Sequence, residues 1–191
     1  SLQQWNAFKP PVFIGLDNFA RLLTDPTFWQ ALFNTLKLLA MIVWAEVTLS
    51  LLVAVLLNQK LRGRAIFRTM YFLPVVTSTV AAAMVWTWIF QPRYGLVGNL
   101  LASVGMRDIG WLTTPDLVLH PIAAVTVWQR IGFDMVLFLA GLQAVPRVLY
   151  EAAIIDGANR WQRFRSITLP LLSPTTFLVL VLSIINGFQI F

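Results

Sequence analysis

Two long stretches of this 191-residue chain contain no charged side chain at all. They cover residues 69–90 and 166–191, which are 22 and 26 residues long. An α-helix needs about 20 predominantly apolar residues to cross the hydrocarbon core of a bilayer. Two further stretches, 31–57 and 117–145, are equally apolar but carry a few internal charges. The pattern predicts an all-α, polytopic transmembrane bundle with four spans and argues against a soluble fold.

The net charge of +6 is not spread evenly along the chain. The connections 1–30 and 91–118 each carry as many acidic as basic residues, whereas 58–68 and 146–165 together carry eight basic residues and two acidic ones. Because Lys and Arg are retained on the cytoplasmic side of membrane proteins, the second pair of connections is predicted to be cytoplasmic. Retention at the inner face, rather than nucleic-acid binding, then explains the basic character.

Several kinds of site are disfavoured by what the sequence lacks. The chain has no cysteine, and its single histidine, His120, makes a poor metal site on its own. No lysine follows a glycine, so the sequence has no Gly-Lys phosphate-binding loop. Paired catalytic carboxylates and a nucleophile motif are also missing. We therefore expect a chain that is not an enzyme and holds no metal or cofactor of its own.

A charged, amphipathic segment lies between the last two spans. Residues 150–170 read YEAAIIDGANRWQRFRSITLP. Helix-forming residues predominate from Arg147 to Asp156, and Gly157 can turn the chain. Trp161 and Phe164 are three apart and so share one face of a following helix. Composition alone leaves two interpretations open: a helix lying on the membrane surface, or a plug that inserts into a groove of a partner protein.

The same segment resembles the signature of the permeases of binding-protein-dependent ABC importers. The signature residues stand at the family's spacing: Glu151, Ala152, Ala153, Gly157, Ile167, Leu169 and Pro170. Residues 60–74 and 141–146 look like the carbohydrate branch, the maltose and glycerol-phosphate type. The resemblance covers nearly the whole chain and implies the type I importer permease fold. Since both ends look cut, we expect a fragment with about four of six spans.

In this family the segment is the coupling helix, which docks on a separate ATP-hydrolysing subunit. The resemblance implies a cytoplasmic coupling helix at 147–157 whose docking residues are Glu151, Ala152, Ala153, Asp156 and Gly157. The small alanines permit a close approach, Glu151 offers a salt bridge to the partner, and Gly157 makes the turn. ATP and magnesium are expected in that partner and not in this chain.

Polar residues inside the spans are candidates for a solute path. Arg130 and Asp134 are four residues apart in the third span and form either a self-neutralising pair or a polar wall of the path. The carboxylate of Glu46, in the first span, needs a partner or water. In maltose-type relatives the corresponding parts of the third and fourth spans line the sugar site. The resemblance implies a path lined by Trp128, Gln129, Arg130, Phe133, Ser183, Asn186 and Gln189. The alternatives are aromatic packing and interhelical hydrogen bonds.

These expectations combine into a permease subunit of an ATP-driven importer of a sugar or sugar-like solute, working by alternating access in a bacterial or archaeal cytoplasmic membrane. The implied partners are a second permease subunit, two ATP-binding subunits and an extracytoplasmic solute-binding protein. Two rivals stay open. An ion-driven secondary transporter would use Glu46, Arg130 and Asp134 as relays but has no need for the segment 147–165. A non-transporting scaffold has no need for a polar cavity between the third and fourth spans.

Overall fold

The computed structural model describes residues 2–5, 10, 12–59, 62–92, 94–105 and 109–190. Residues 60 and 191, at the edges of two predicted segments, lie outside this set. The described part of the chain is mostly helical, and the predicted all-α class is confirmed. Its helices are α1 (Asp17–Thr24), α2 (Pro26–Asn58), α3 (Arg64–Phe72), α4 (Thr79–Ile89), α5 (Leu96–Ser103), α6 (Leu119–Ala144), α7 (Arg147–Ile155), α8 (Arg160–Arg163), α9 (Leu169–Leu171) and α10 (Ser173–Gly187). A 3-10 turn (Leu73–Val76) follows α3, and a π-helical turn (Phe164–Thr168) follows α8.

The chain divides into two compact units, Ser1–Lys37 and Leu38–Phe191. In the first unit, strands β1 (Gln3–Gln4) and β2 (Val12–Phe13) form a short antiparallel pair. The indole of Trp29, early in α2, donates a hydrogen bond to the Leu23 carbonyl at 2.8 Å. This bond fastens the end of α1 to the first turns of α2.

The core of the second unit forms where α2 packs on α6. The earlier part of α2 meets the start of α6 in a buried apolar cluster of Leu38, Ile42, Leu119, Ala123 and Val127. The last turns of α2 meet the later half of α6 and the α9–α10 region in a second cluster: Ala54, Leu57, Met135, Phe138, Leu139, Leu142, Leu172 and Val179. The two helices therefore run in the same direction, as the predicted topology requires of the first and third spans.

The end of α3 approaches α6 closely at Gly132. A Cβ atom at Gly132 would lie 2.9 Å from the Phe72 Cα and would collide with the Tyr71 carbonyl oxygen. Only glycine therefore permits this backbone-to-backbone contact, a device that membrane helices use widely.

Two of the predicted spans are bent. The helical segments 64–76 and 79–89 meet at 100° around Thr77 and Ser78, and the segments 160–171 and 173–187 meet at 64°. Pro74 lacks an amide proton, and its 3-10 turn gives way to an extended Thr77 with ψ 145°. Among the described residues, α2 and α6 alone are long and apolar enough to cross a membrane unbroken, and the number rises to four if each bent pair forms one span.

The predicted orientation can be tested with single cysteines, since the chain has none of its own. Ala65, Ile155 and Ser103 are exposed and stand outside the apolar cores of the spans. With an impermeant thiol reagent, Ala65→Cys and Ile155→Cys should react only in inside-out vesicles, and Ser103→Cys only in intact cells, because the positive charges hold the first two connections inside. Labelling of Ile155→Cys in intact cells would reverse the assigned orientation.

Candidate functional site

A cavity of about 600 Å³ opens between the 3-10 turn and the start of α4, one face of α6, and the end of α10. Its volume falls in the range of small-molecule sites. The cavity is lined by Val75, Thr79, Thr126, Gln129, Arg130, Phe133, Asn186, Gln189 and Ile190. Three amides, two hydroxyls, a guanidinium and one aromatic ring thus face a single space, a lining suited to a polyhydroxylated solute.

The contribution of α6 to this cavity follows from helix geometry. Thr126, Gln129, Arg130 and Phe133 are spaced by three, one and three residues and so fall on one stripe of α6. Five of the seven predicted path residues line the cavity: Gln129, Arg130, Phe133, Asn186 and Gln189. The structure thus brings together residues from the third and fourth predicted spans.

Trp128 lies outside the lining of this cavity. Trp128 packs edge-on against Trp86, with ring centroids 5.5 Å apart, and lines a different cavity of about 710 Å³. Trp128 and Phe133 are five residues apart, so they point about 140° away from each other around a helix. Although the cavity beside Trp128 is larger, its described lining is apolar except for Tyr71. It offers little to hydrogen-bond a polar solute.

Ser183 also lies away from the cavity lining. It is 1% exposed, and its hydroxyl lies by the Glu46 carboxylate, although the pair does not reach good hydrogen-bond geometry. Ser183 therefore belongs to the buried polar cluster behind the cavity, together with Glu46, Arg130 and Asp134.

The buried charges include an ion pair between two helices. The ion pair in the structure joins Arg130 Nε to Glu46 Oε1 at 3.4 Å, a partner that the sequence did not indicate. Glu46 is fully buried, whereas 29% of the Arg130 side chain is exposed. The long Arg130 side chain can reach back to a carboxylate that has no access to water, which offsets part of the cost of burying it.

Asp134 lies one turn beyond Arg130 and is fully buried. Neither of its carboxylate oxygens has a hydrogen-bond partner among the described residues, and its charge interacts with those of Arg130 and Glu46. Two carboxylates therefore face one guanidinium within the membrane-spanning part of the chain.

Gln129 supports the bend between α3 and α4. Its Nε2 donates to the Thr77 carbonyl at 3.2 Å and to Thr79 Oγ1 at 3.3 Å. The bend frees backbone groups that lipid cannot satisfy, and this amide supplies one of the missing donors.

The Asn186 amide is hydrogen-bonded within its own helix, since its Nδ2 donates to the Leu182 carbonyl at 2.6 Å. The side-chain amide of Gln189 has no hydrogen-bond partner among the residues that the structure describes.

The segment after α6 forms a compact helix–turn–helix. At the end of α7, Ala158 N donates to Ala153 O at 2.8 Å and Gly157 N to Ile154 O at 3.0 Å. These two bonds make a Schellman turn with Gly157 at φ +78°. A residue with a side chain would be strained at this backbone angle. The turn expected at Gly157 is therefore present.

Three contacts that hold this turn were missed from the sequence. The Asn159 and Gln162 side chains cap each other's backbone amides at 2.9 and 2.7 Å, which starts α8. The hydroxyls of Tyr150 and Thr168 are 2.9 Å apart and join α7 to the π-helical turn. The Asn-x-x-Gln spacing was a readable signal for the first two bonds, whereas nothing local indicates the third.

The docking residues predicted on α7 lie mostly on its open surface. Glu151, Ala152, Asp156 and Gly157 are exposed, and Ala153 is half-buried. Ile155, between them, is 87% exposed. A large apolar side chain at the tip of a rigid turn, flanked by carboxylates, is suited to a contact with another protein.

Comparison with known proteins gives the family. Residues 46–191 match the model of the binding-protein-dependent transport system inner membrane component family. The chain belongs to this family. The resemblance seen in the sequence is thereby confirmed, and the chain is a multi-pass inner-membrane component.

Two curated relatives are sugar permeases. Over 94% of its length the chain is 38% identical to the trehalose/maltose transport system permease protein of Thermococcus litoralis. Over the same share it is 40% identical to the lactose transport system permease protein of Rhizobium radiobacter. It spans 61% of the length of each. The chain also resembles a solved structure of a bacterial alginate ABC transporter in complex with an alginate pentasaccharide-bound periplasmic protein. The match covers 89% of this chain and 60% of the transporter chain, with a TM-score of 0.79 and 31% sequence identity.

The ion pair gives this inner membrane component a testable feature. Arg130→Gln leaves the buried Glu46 carboxylate unpaired and should destabilise the chain by about 3 kcal/mol. This value is at the lower end of the range for breaking a buried ion pair, because the Arg130 side chain is partly exposed. The triple variant Glu46→Gln/Arg130→Gln/Asp134→Asn removes all three interacting charges and should recover most of the loss. Thermal midpoints and monodisperse yields in detergent measure both effects.

Arg147→Gln is the matched control, because Arg147 is exposed on α7 and has no ion pair among the described residues. It should change stability by less than about 0.5 kcal/mol. If Arg130→Gln proves as stable as Arg147→Gln, the pair contributes nothing to the fold.

Proposed function

We propose that the chain is the transmembrane permease subunit of an ATP-driven carbohydrate importer that works by alternating access. The observation that carries this proposal is the cavity of about 600 Å³, in which polar residues of α6 and the α10 end meet beside Phe133. Amides and hydroxyls match the hydroxyl groups of a sugar, and an aromatic ring suits its apolar face. The sugar permeases among the relatives support the same solute class.

The proposed partners are a second permease subunit, two ATP-binding subunits and an extracytoplasmic solute-binding protein. The exposed tip of α7 supports the contact with the ATP-binding subunits, since its Schellman turn and the Asn159 cap hold it in shape before any partner arrives. The alginate transporter, crystallised with a periplasmic protein, supports a binding-protein partner. Hydrolysis of ATP is assigned to the ATP-binding subunits.

The rival functions fit these features less well. An ion-driven transporter explains buried carboxylates, but it gives no role to an exposed, preorganised helix tip. A scaffold explains the helix tip but gives no role to a cavity lined by amides and hydroxyls. Coupled import uses both features.

Charge reversal on α7 tests the docking contact. Glu151→Lys should disrupt a salt bridge to the ATP-binding subunit and weaken its binding at least about tenfold, which corresponds to roughly 1.4 kcal/mol. Sugar-stimulated ATP hydrolysis should fall at least about tenfold as well. Co-purification of the ATP-binding subunit and ATPase rates in proteoliposomes give the two readouts. Membrane insertion should be unchanged.

Asp116→Lys is the control for the same charge change on an exposed carboxylate of the 91–118 connection, which is predicted to lie outside. It should leave assembly and ATPase coupling at wild-type levels. Equal effects of Glu151→Lys and Asp116→Lys would mean that α7 is not the docking site.

Removal of single amides tests the solute path. Gln189→Ala and Asn186→Ala should each weaken the apparent affinity for transport about tenfold, because a buried sugar hydroxyl loses a partner worth about 1–3 kcal/mol. Uptake of labelled trehalose, maltose and lactose into proteoliposomes measures the affinity, and complex yield is measured on the same preparations.

Ser183→Ala serves as the comparison, since Ser183 is buried behind the cavity rather than in its lining. It should alter yield or stability and leave affinity unchanged. Normal affinity with reduced yield in Gln189→Ala and Asn186→Ala would instead identify the amides as interhelical contacts.

A further inference from the structure

The cavity of about 600 Å³ holds a single charged residue in its described lining, Arg130. An unpaired guanidinium in such a space would attract carboxylates and would bind them in a bidentate manner. On its lining alone, the cavity therefore suits an acidic saccharide.

The residues behind the lining change this conclusion. Glu46 Oε1 is 3.4 Å from Arg130 Nε, and Asp134 follows Arg130 one turn later on α6. Both carboxylates are fully buried and interact electrostatically with the guanidinium, whereas the Arg130 side chain is partly exposed. One ionised carboxylate is enough to cancel the charge of Arg130, so the cavity presents the hydrogen-bonding groups of a guanidinium without its net positive charge.

A solute that carries its own carboxylate then meets an unfavourable site. It loses its hydration on entering the cavity and finds no uncompensated cation there, while the charges of Glu46 and Asp134 act at short range through a medium of low polarity. A neutral saccharide avoids this cost. Its hydroxyls can bind Gln129, Gln189 and the remaining polar lining, including the exposed part of Arg130.

We propose that Glu46 and Asp134 are specificity-determining residues: they mask the charge of Arg130 from behind and thereby restrict the path to uncharged saccharides. The inference rests on the proposed function and adds the substrate class to it. It separates this chain from the alginate transporter whose structure it resembles, since alginate is an acidic polysaccharide.

Equilibrium binding to the assembled permease–ATPase complex in nanodiscs tests the mask without the solute-binding protein, which has a specificity of its own. The two probes are maltotriose and trigalacturonate, which are matched in length and differ in charge. Wild type should bind maltotriose at least about tenfold more tightly than trigalacturonate. Glu46→Gln/Asp134→Asn exposes the charge of Arg130 and should improve trigalacturonate binding at least about tenfold, with little change for maltotriose.

Two comparisons assign the gain to Arg130. Adding Arg130→Gln to the double variant should abolish the gain, and raising the salt concentration from about 0.05 to 0.5 M should shrink it, because a newly exposed charge is screened. Asp116→Asn, which neutralises an exposed carboxylate outside the cavity lining, should behave as wild type.

The outcomes separate the mask from the function. Maltotriose binding with no gain for trigalacturonate in the double variant, or a wild-type preference for trigalacturonate, overturns the mask and leaves the importer function standing. Failure of wild type and every variant to bind either saccharide overturns the carbohydrate function and the mask with it. A gain that survives Arg130→Gln also overturns the mask, because the charge would then lie elsewhere.

Discussion

The structure depends on one constraint: inside a bilayer, no water is present to satisfy a charge or a free backbone group. Helix α6 meets this constraint for its neighbours on both sides. Arg130 supplies the counter-charge for Glu46 of α2 at 3.4 Å, and Gln129, one residue earlier, donates to the backbone where α3 and α4 separate. Because the same two side chains face the cavity, the residues that hold the bundle together are also those that shape its polar interior.

The connection from α6 to α7 relates this interior to the surface. Only Val145 and Pro146 separate the two helices, so the cavity stripe and the exposed turn at Gly157 stand on consecutive elements of the chain. The Gln143 side chain, at the end of α6, lies beside the guanidinium groups of Arg64 and Arg68. With its amide turned so that the oxygen faces them, Gln143 accepts from Arg64 Nη2 at 3.1 Å and from Arg68 Nη2 at 3.2 Å, which connects α3 to this junction. A displacement of α7 by the proposed ATP-binding partner would act directly on the helix that lines the cavity, which is the arrangement that alternating access requires.

The sequence predicts the parts of this account that depend on local pattern. Charge-free runs indicate the spans, the acidic and small residues of 151–157 indicate the exposed turn, and spacing by three and four places Gln129, Arg130 and Phe133 on one face. It does not predict contacts between distant segments. The spacing of Arg130 and Asp134 indicates that they share a face of α6, but nothing local indicates the ion pair of Arg130 with Glu46, 84 positions earlier in the chain. Trp128 and Phe133, five positions apart, line different cavities because they point in different directions around α6.

The central claim is that the space between α4, α6 and the end of α10 is a saccharide path whose charge is set by the Glu46–Arg130 pair behind it. A cryo-EM structure of the assembled importer with bound maltotriose tests it most directly. The account predicts sugar density against Gln129, Phe133 and Gln189, with Arg130 still paired to Glu46 behind it. Density in the apolar cavity beside Trp128 instead, or an Arg130 that has left Glu46 to contact the sugar, would contradict the account.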